Sequence, residues 1–208
     1  RLGAVHSVVF GGFAAAELAA RIADAEPKLI LSASCGLEPG RVVTYKPLLD
    51  AAIALSPHKP AGVIVAQREQ APATLIPGQD EDWAAVEAAG TPHPCVPVAA
   101  TDPLYILYTS GTTGRSKGAM LSHDNLASNA LTLVDFWRFS ASDVLIHALP
   151  IYHTHGLFVA TNTLLLAGGT MLFLPKLDPD AIMRLMPRAT SMMGVPTFYV
   201  RLLQDPRL

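Results

Sequence analysis

Short apolar runs alternate with longer amphipathic segments along most of the chain. Apolar runs bounded by glycine, proline or polar residues are typical of buried strands. They predict strands at 5–10, 28–31, 63–65, 104–108, 143–149, 170–174 and near 190–195. Helical spacing of hydrophobic residues predicts helices at 14–25, 45–55, near 83–89, at 124–136, 157–167 and 197–204, and one that starts at Asp178-Pro179. Strand–helix–strand order predicts parallel pairing with right-handed crossovers. We therefore expect an α/β fold of layered, mostly parallel sheets with flanking helices.

The same pattern divides the chain into three regions. Residues 1–66 are predicted to form a βαβ subdomain. Residues 67–103 are rich in proline and small polar residues, which favours a surface connection over core structure. Residues 104–208 resume the alternation and are predicted to form a second subdomain.

Composition narrows the class of protein. Half of the residues are hydrophobic, 15% are charged, and the net charge is −2. This balance fits a buried α/β sheet and provides no basic surface for nucleic acid. Cys35 and Cys95 form neither a disulfide framework nor a metal-binding spacing, so we expect buried free thiols. Free thiols indicate that the protein lies in a reducing compartment. We expect the cytoplasm or, as an alternative, the mitochondrial matrix.

Residues 156–175 carry no charge and approach the length that crosses a bilayer. Asn162, several threonines and the Gly168-Gly169 pair interrupt this stretch. A helix at 157–167, a glycine turn and a strand at 170–174 explain it better than a membrane span does. We also find no initiator methionine, signal peptide or targeting segment at the start of this sequence.

The most informative segment is Thr109-Ser110-Gly111-Thr112-Thr113-Gly114-Arg115-Ser116-Lys117-Gly118, which follows an apolar run. Glycines let backbone N–H groups approach an anion, hydroxyls add donors, and lysine adds a compact positive charge. The order predicts a phosphate-binding loop; the alternative is a polar surface turn. Lys117 stands in the wrong place for a Walker A motif, and the glycines do not form Gly-x-Gly-x-x-Gly. A kinase or a dinucleotide-binding fold is therefore disfavoured.

This segment closely resembles the signature loop of AMP-forming adenylating enzymes, which include acyl-CoA synthetases. The family pattern Tyr-Thr-Ser-Gly-Thr-Thr-Gly-x-Pro-Lys-Gly lies on residues 108–118, with Ser116 in place of the usual proline. The resemblance implies part of the large N-terminal domain of such an enzyme, in which residues 104–208 carry the phosphate loop and the acyl site. It implies ATP, Mg²⁺ bound with ATP, and coenzyme A as a co-substrate. The ATP-binding residues would be Thr109, Ser110, Gly111, Thr112, Thr113, Gly114, Arg115, Ser116 and Lys117, and Lys117 would also act in catalysis.

Two further residues are candidates for the acid-binding site. His153 follows the predicted strand 143–149, and ligands bind at the carboxyl ends of strands in open α/β sheets. His153 and His155 could bind a metal, but no third ligand is near in the sequence. The resemblance gives His153 a catalytic role in orienting the carboxylate and in lining the acyl and pantetheine site; a hydrogen-bonded loop histidine is the alternative. Arg201 could bind a carboxylate with two hydrogen bonds, or face solvent on its helix.

The resemblance covers the chain but divides between two subfamilies. Residues 1–108 resemble acetyl- and propionyl-CoA synthetases, whereas residues 115–208 resemble malonyl-CoA synthetases, in which Arg201 would hold the distal carboxylate of a dicarboxylic acid. A chimera with its junction near 109–114 and a divergent single lineage both explain this pattern.

Several later family motifs are absent from this sequence, among them the Tyr-Gly-x-Thr-Glu loop and the C-terminal catalytic lysine. We therefore expect a fragment that lacks the rest of the adenylation domain and the C-terminal domain and is inactive by itself. The expected partners are small molecules: ATP, a short carboxylic acid and coenzyme A. The alternative function is a non-catalytic nucleotide-binding or scaffold fragment.

Overall fold

Strands and helices alternate through the computed structural model, which describes residues 2–38, 40–109 and 117–207. The described residues fall into two units. The first unit consists of residue 2 with the segment 9–96, and the second consists of residues 3–8, 97–109 and 117–207. Residues 110–116, which the sequence analysis assigns to a phosphate-binding loop, lie outside the described residues.

The first unit is built on a three-stranded parallel sheet. In chain order its elements are α1 (Ala15–Ala25), β1 (Leu29–Ala33), β2 (Cys35–Glu38), β3 (Arg41–Thr44), α2 (Lys46–Leu55), β4 (Gly62–Ala66), β5 (Asp80–Asp82) and α3 (Trp83–Ala89). The strand order in the sheet is β1-β4-β5, and β2 pairs with β3 as an antiparallel hairpin. The connection from β1 to β4 therefore contains both the hairpin and α2.

One apolar cluster forms the core of this unit. Val63 and Val65 of β4 are 1% and 0% exposed, because alternate residues of a strand point to the same face. They pack with Ile22 of α1 and with Leu49 and Ile53 of α2. The two helices thus cover one face of the parallel sheet.

A buried ion cluster joins α2 to β5. The ammonium of Lys46, whose side chain is 3% exposed, contacts a carboxylate oxygen of Asp50 and lies 2.7 Å from Asp80 Oδ2. Burial favours the neutral form of Lys46, but its hydrogen bonds to Asp50 and Asp80 outweigh burial, so the pKa of Lys46 is raised. Burial likewise opposes ionisation of Asp80, but hydrogen bonds from Lys46, the Ile76 N–H and Gln79 lower its pKa. Both groups are therefore held in their charged forms.

The second unit contains a three-stranded parallel sheet and an antiparallel hairpin. Its elements are β6 (Pro103–Thr109), β7 (Lys117–Ser122), α4 (His123–Trp137), β8 (Val144–His147), a π-helix (His155–Ala160), α5 (Thr161–Ala167), β9 (Thr170–Phe173), α6 (Pro179–Leu185), a 3-10 turn (Met186–Arg188), β10 (Ser191–Met193) and α7 (Pro196–Leu203). The parallel sheet has the order β10-β8-β9, and β6 pairs with β7.

The central strand β8 is covered on both faces. Leu145 packs with Ala160 and Leu164 in one cluster, and the next residue, Ile146, packs with Ile182 and Leu202 in another. Helices on both faces of a parallel sheet give the layered α/β architecture that the sequence predicts. The predicted fold class is confirmed.

Local capping explains where two helices of this unit begin. The Ser122 hydroxyl accepts from the Asn125 N–H, and the Asn125 side chain accepts from the Ser122 N–H, which forms a capping box at the start of α4. The Asp178 carboxylate accepts from the Ala181 N–H, and Pro179 occupies the first turn of α6. The helix predicted from Asp178-Pro179 is confirmed.

The predicted strand at 5–10 is wrong. This segment forms only one isolated bridge, between His6 and Tyr105, and Val5 and Val8 are 43% and 40% exposed. The predicted βαβ unit that starts with this strand does not form, and the parallel pairs of the first unit are β1–β4 and β4–β5. The sequence analysis also did not predict the β2–β3 hairpin, β5 or β7.

Several other predictions can be compared with the structure directly. Residues 156–175 fold as most of the π-helix, α5 and β9, and no helix among the described residues is long and apolar enough to cross a bilayer. Both cysteines are free, as predicted, but only Cys35 is buried. Cys95 is exposed because it lies in the stretch 90–100, in which every residue is exposed.

Candidate active site

The β6–β7 hairpin holds the two ends of the phosphate-loop segment together. Thr109, the last residue of β6, is paired with Lys117, the first residue of β7, and Tyr108 is paired with Gly118. Ser110, Gly111, Thr112, Thr113, Gly114, Arg115 and Ser116 connect these ends and lie outside the described residues. Lys117 is exposed at the base of this connection. The motif thus joins two antiparallel strands rather than a strand and a helix, which separates it further from a Walker A loop.

Gly118 lets β7 lie close to β6. A Cβ at this position would lie 2.9 Å from Ile106 Cγ2 and 3.2 Å from Tyr108 Cε1, closer than ordinary contact. The glycine therefore keeps the Ile106 and Tyr108 side chains packed against the strand next to Lys117. This gives the last glycine of the motif a structural role.

Tyr105 connects this hairpin to the π-helix that follows His153. Its side chain is 1% exposed, and its ring lies 4.8 Å from the ring of Phe158 in an edge-to-face arrangement. The Val8 N–H donates to its hydroxyl at 3.2 Å. Burial raises the pKa of Tyr105 although this hydrogen bond opposes the shift. The strand that leads into the phosphate loop is thereby packed against the helix of the histidine loop.

His153 lies in the loop after β8, where the sequence analysis places it. Its N–H donates to the Pro150 carbonyl at 3.2 Å, and its own carbonyl accepts from the Leu157 N–H at 2.9 Å. Its ring is 4.6 Å from the ring of Tyr152, and the residue is exposed. Backbone hydrogen bonds therefore fix this residue and leave its imidazole accessible.

His147, which the sequence analysis did not select, is the fully buried histidine of this region. Its Nε2 lies 2.9 Å from the Gly156 carbonyl oxygen, which also accepts from the Thr161 hydroxyl at 2.8 Å. Its Nδ1 has no hydrogen-bond partner in the described part of the chain. The signal in the sequence was a polar residue at the end of the apolar run 144–147.

A pocket of about 330 Å³ lies beside this loop. It is lined by His155, Ser191, the aromatic residues Trp137, Phe139 and Tyr199, and the end of β10 at Met192, Met193 and Gly194. Burial lowers the pKa of His155, and the neighbouring His147 lowers it further. The Ser191 hydroxyl is buried without a hydrogen-bond partner among the described residues. A neutral imidazole and a hydroxyl in an otherwise apolar lining suit a small, mainly apolar group.

Arg201 is exposed on α7, on a different side of that helix from the buried Leu202. It does not line the pocket described above. In the described part of the chain, no hydrogen bond or ion pair joins Lys117, His153 and Arg201 to one another. The structure places the three predicted residues in one unit, on a strand, a loop and a helix.

The described residues contain no group of three His, Cys, Asp or Glu side chains that could hold a metal ion. His153 and His155 therefore have no third ligand there for a structural metal.

The parallel α/β fold, and the β6–β7 hairpin whose strands are joined by a Gly/Ser/Thr-rich segment that ends at Lys117, agree with the family that the comparisons identify. The chain belongs to the AMP-binding enzyme family, which matches residues 1–208. It is 65% identical over 118 residues to an uncharacterized protein of Pseudomonas aeruginosa, covering 57% of this chain and 19% of that protein.

Two further relatives have named activities. Over 121 residues the chain is 49% identical to human acyl-CoA synthetase short-chain family member 3, mitochondrial, covering 58% of this chain and 18% of the relative. Over 137 residues it is 42% identical to propionate–CoA ligase of Escherichia coli, covering 65% and 22%. The matches thus span about a fifth of the length of these curated relatives.

Solved structures match almost the whole chain. The crystal structure of ATP-bound MatB from Rhodopseudomonas palustris is 48% identical, with a TM-score of 0.76, and the match covers 98% of this chain and 37% of that one. Apo MatB from the same organism matches with 47% identity and a TM-score of 0.74. The predicted family is confirmed by these comparisons.

Proposed function

We propose that the chain is part of an ATP-dependent, AMP-forming ligase that activates a short carboxylic acid and joins it to coenzyme A. The observation that carries this proposal is the hairpin position of Lys117, at the base of the signature segment in a chain that matches the AMP-binding enzyme family throughout. The names of the acyl-CoA synthetase and propionate–CoA ligase relatives support the reaction class.

The proposed reaction has two steps. A carboxylate oxygen of the acid attacks the α-phosphorus of ATP, and the bond from the α-phosphorus to the α,β-bridging oxygen breaks to release pyrophosphate. The coenzyme A sulfur then attacks the acyl carbon, its proton is lost to solvent, and AMP leaves. Backbone N–H groups of the segment 110–116 and the Lys117 ammonium would stabilise charge on the departing pyrophosphate. His153 would orient the acid carboxylate, and the pocket beside His155 would take its acyl group.

An ATP–pyrophosphate exchange assay with acetate, propionate and malonate tests the reaction class. Because the chain spans only part of its relatives, the assay uses residues 1–208 and also a full-length propionate–CoA ligase in which these residues replace the matching segment. Acid-dependent exchange is expected in the full-length protein, and we propose that residues 1–208 alone give none. ADP formation would instead indicate a kinase. ATP binding without exchange in either protein would favour a non-catalytic nucleotide-binding module.

Replacing Lys117 with alanine is expected to weaken ATP binding by about 1.5–3 kcal/mol, because a charge-assisted contact to phosphate is lost. Calorimetric titration of ATP into residues 1–208 measures this change. Lys176→Ala removes another exposed lysine of the same unit and should leave the affinity unchanged. Equal ATP affinity in the wild type and in Lys117→Ala would refute the assignment of Lys117 to the phosphates.

Arg201→Leu is expected to reduce malonate-dependent exchange in the full-length chimeric enzyme about tenfold or more, with a small effect on propionate. The reason is that a guanidinium can donate two hydrogen bonds to the second carboxylate of malonate but none to the methyl group of propionate. Arg184→Leu, at an exposed arginine of α6, serves as the matched control. Equal effects on both acids would show that Arg201 is a surface or structural residue and does not recognise the second carboxylate.

A further inference from the structure

The hydrogen bonds around Gly156 determine which nitrogen of His147 carries its proton. His147 Nε2 lies 2.9 Å from the Gly156 carbonyl oxygen, which can only accept. Nε2 must therefore donate, because an unprotonated Nε2 would place two lone pairs against each other. Thr161 Oγ1 lies 3.4 Å from the same nitrogen while its own hydroxyl donates to the Gly156 oxygen. The arrangement thus fixes the Nε2–H form.

The other ring nitrogen of His147 has no hydrogen-bond partner. His147 is 0% exposed, and within the described residues no group bonds to Nδ1. The hydrogen bonds of this buried ring therefore all involve Nε2.

That donor acts on a carbonyl that fixes the histidine loop. Gly156 lies so close to Pro150 that a Cβ on Gly156 would be 2.4 Å from the Pro150 carbonyl oxygen. The same Pro150 oxygen accepts from the His153 N–H. A shift of Gly156 would therefore displace Pro150 and, through it, His153.

We propose that His147 is a positioning residue, which holds the Gly156 carbonyl and so sets where His153 and His155 lie at the acid-binding site. The acid-binding part of this inference rests on the proposed function; the positioning part does not. The geometry gives His147 this role through one hydrogen bond from the central strand β8 to the first turn of the π-helix. π-Helical turns of this kind are frequent at functional sites.

Long-range ¹H–¹⁵N spectra of the histidine side chains in residues 1–208 test the positioning. We expect His147 to carry a proton on Nε2, and we expect this buried ring proton to exchange slowly. His147→Leu removes the donor, and the His153 and His155 signals should shift. His147→Gln keeps a donor near the Nε2 position, so these signals should return toward their wild-type values. His93→Leu, in the other unit, should leave them unchanged.

Two results would overturn the proposal. One is a wild-type His147 whose ring carries a proton on Nδ1 and none on Nε2. The other is a folded His147→Leu protein with unchanged His153 and His155 signals, which would make His147 a core-filling residue. If His147→Leu does not fold, Thr161→Val is used instead, because it removes the second donor to the Gly156 carbonyl. The tautomer of the wild-type His147 and the His153 and His155 signals of Thr161→Val then decide whether His147 positions the loop.

Kinetics in the full-length chimeric enzyme test the link to function. His147→Leu is expected to lower kcat/KM for the acid by up to about 100-fold, in part through a higher KM, because a misplacement of about 1 Å can cost this much. KM for ATP should be unchanged, and His147→Gln should restore acid binding. An equal rise in both KM values would overturn the link to the acid. Absence of exchange in the wild type would refute the proposed function, whereas the spectra would still decide the positioning.

Discussion

Replacing Asp80 with alanine is expected to lower the free energy of unfolding by about 3–5 kcal/mol, since it leaves a buried lysine without one of its carboxylates. The Asp80 side chain is 0% exposed, and its Oδ2 lies 2.7 Å from Lys46 Nζ. The same oxygen accepts from the Ile76 N–H at 2.6 Å, so the substitution also removes the hydrogen-bond partner of this backbone donor. Urea unfolding of residues 1–208, followed by circular dichroism, measures the change.

Matched variants separate this ion pair from a general effect of charge. Glu81→Ala removes an exposed carboxylate from the same strand, and its effect should stay within about 0.5 kcal/mol. Combining Lys46→Met with Asp80→Leu should recover much of the loss, because apolar residues of similar volume often replace a buried ion pair at little cost. Equal effects of Asp80→Ala and Glu81→Ala would show that the pair contributes no more than a surface carboxylate.

The pH dependence of this contribution follows from the two shifted pKa values. Because folding lowers the pKa of Asp80, its stabilising effect is complete above the ordinary value of 3.8 and is lost as the pH falls through the lower, folded-state value. Because folding raises the pKa of Lys46, its effect is complete below 10.5 and is lost as the pH rises through the higher value. The stability difference between wild type and Asp80→Ala should therefore be constant between these limits.

The same cluster shows why part of the fold could not be predicted from the sequence. β5 consists of Asp80, Glu81 and Asp82, and acidic residues are depleted in strands. This strand forms because it pairs with β4 and because Lys46, distant in sequence, neutralises Asp80. Such long-range contacts leave no periodic pattern in the local sequence. By contrast, β8 was predicted from the sequence. A central parallel strand is buried on both faces, so its residues form a continuous apolar run.

The candidate site likewise contains some features that the sequence predicts and others that it does not. The order of glycines and hydroxyls before Lys117 indicates phosphate binding without any knowledge of the fold, because this chemistry depends on local backbone freedom. The strand that begins at Lys117 was missed because only pairing with β6 makes it a strand. His147 was missed because its partners, the Gly156 carbonyl and Thr161, lie beyond a loop whose path the sequence does not show.

Gly156→Ala is expected to lower the free energy of unfolding by about 2–3 kcal/mol, as overpacking against a fixed neighbour does. The added Cβ would lie 2.4 Å from the Pro150 oxygen and 2.9 Å from the Pro150 carbonyl carbon. Both are backbone atoms, so no side-chain rotation relieves the clash. The variant should also shift the His153 side-chain signal, since His153 donates to the same Pro150 oxygen.

Helix propensity instead predicts that Gly156→Ala raises the free energy of unfolding, so the sign of the measured change decides between the two effects. Alanine is about 1 kcal/mol more favourable than glycine inside a helix, and Gly156 lies within the π-helix. Gly62→Ala is the control, because the nearest atom to its Cβ would be Leu29 Cδ2 at 3.4 Å, an ordinary contact. That substitution should change stability by no more than about 0.5 kcal/mol. A Gly156→Ala protein as stable as the wild type would show that the Pro150 carbonyl can move, and that the histidine loop is not fixed by this contact.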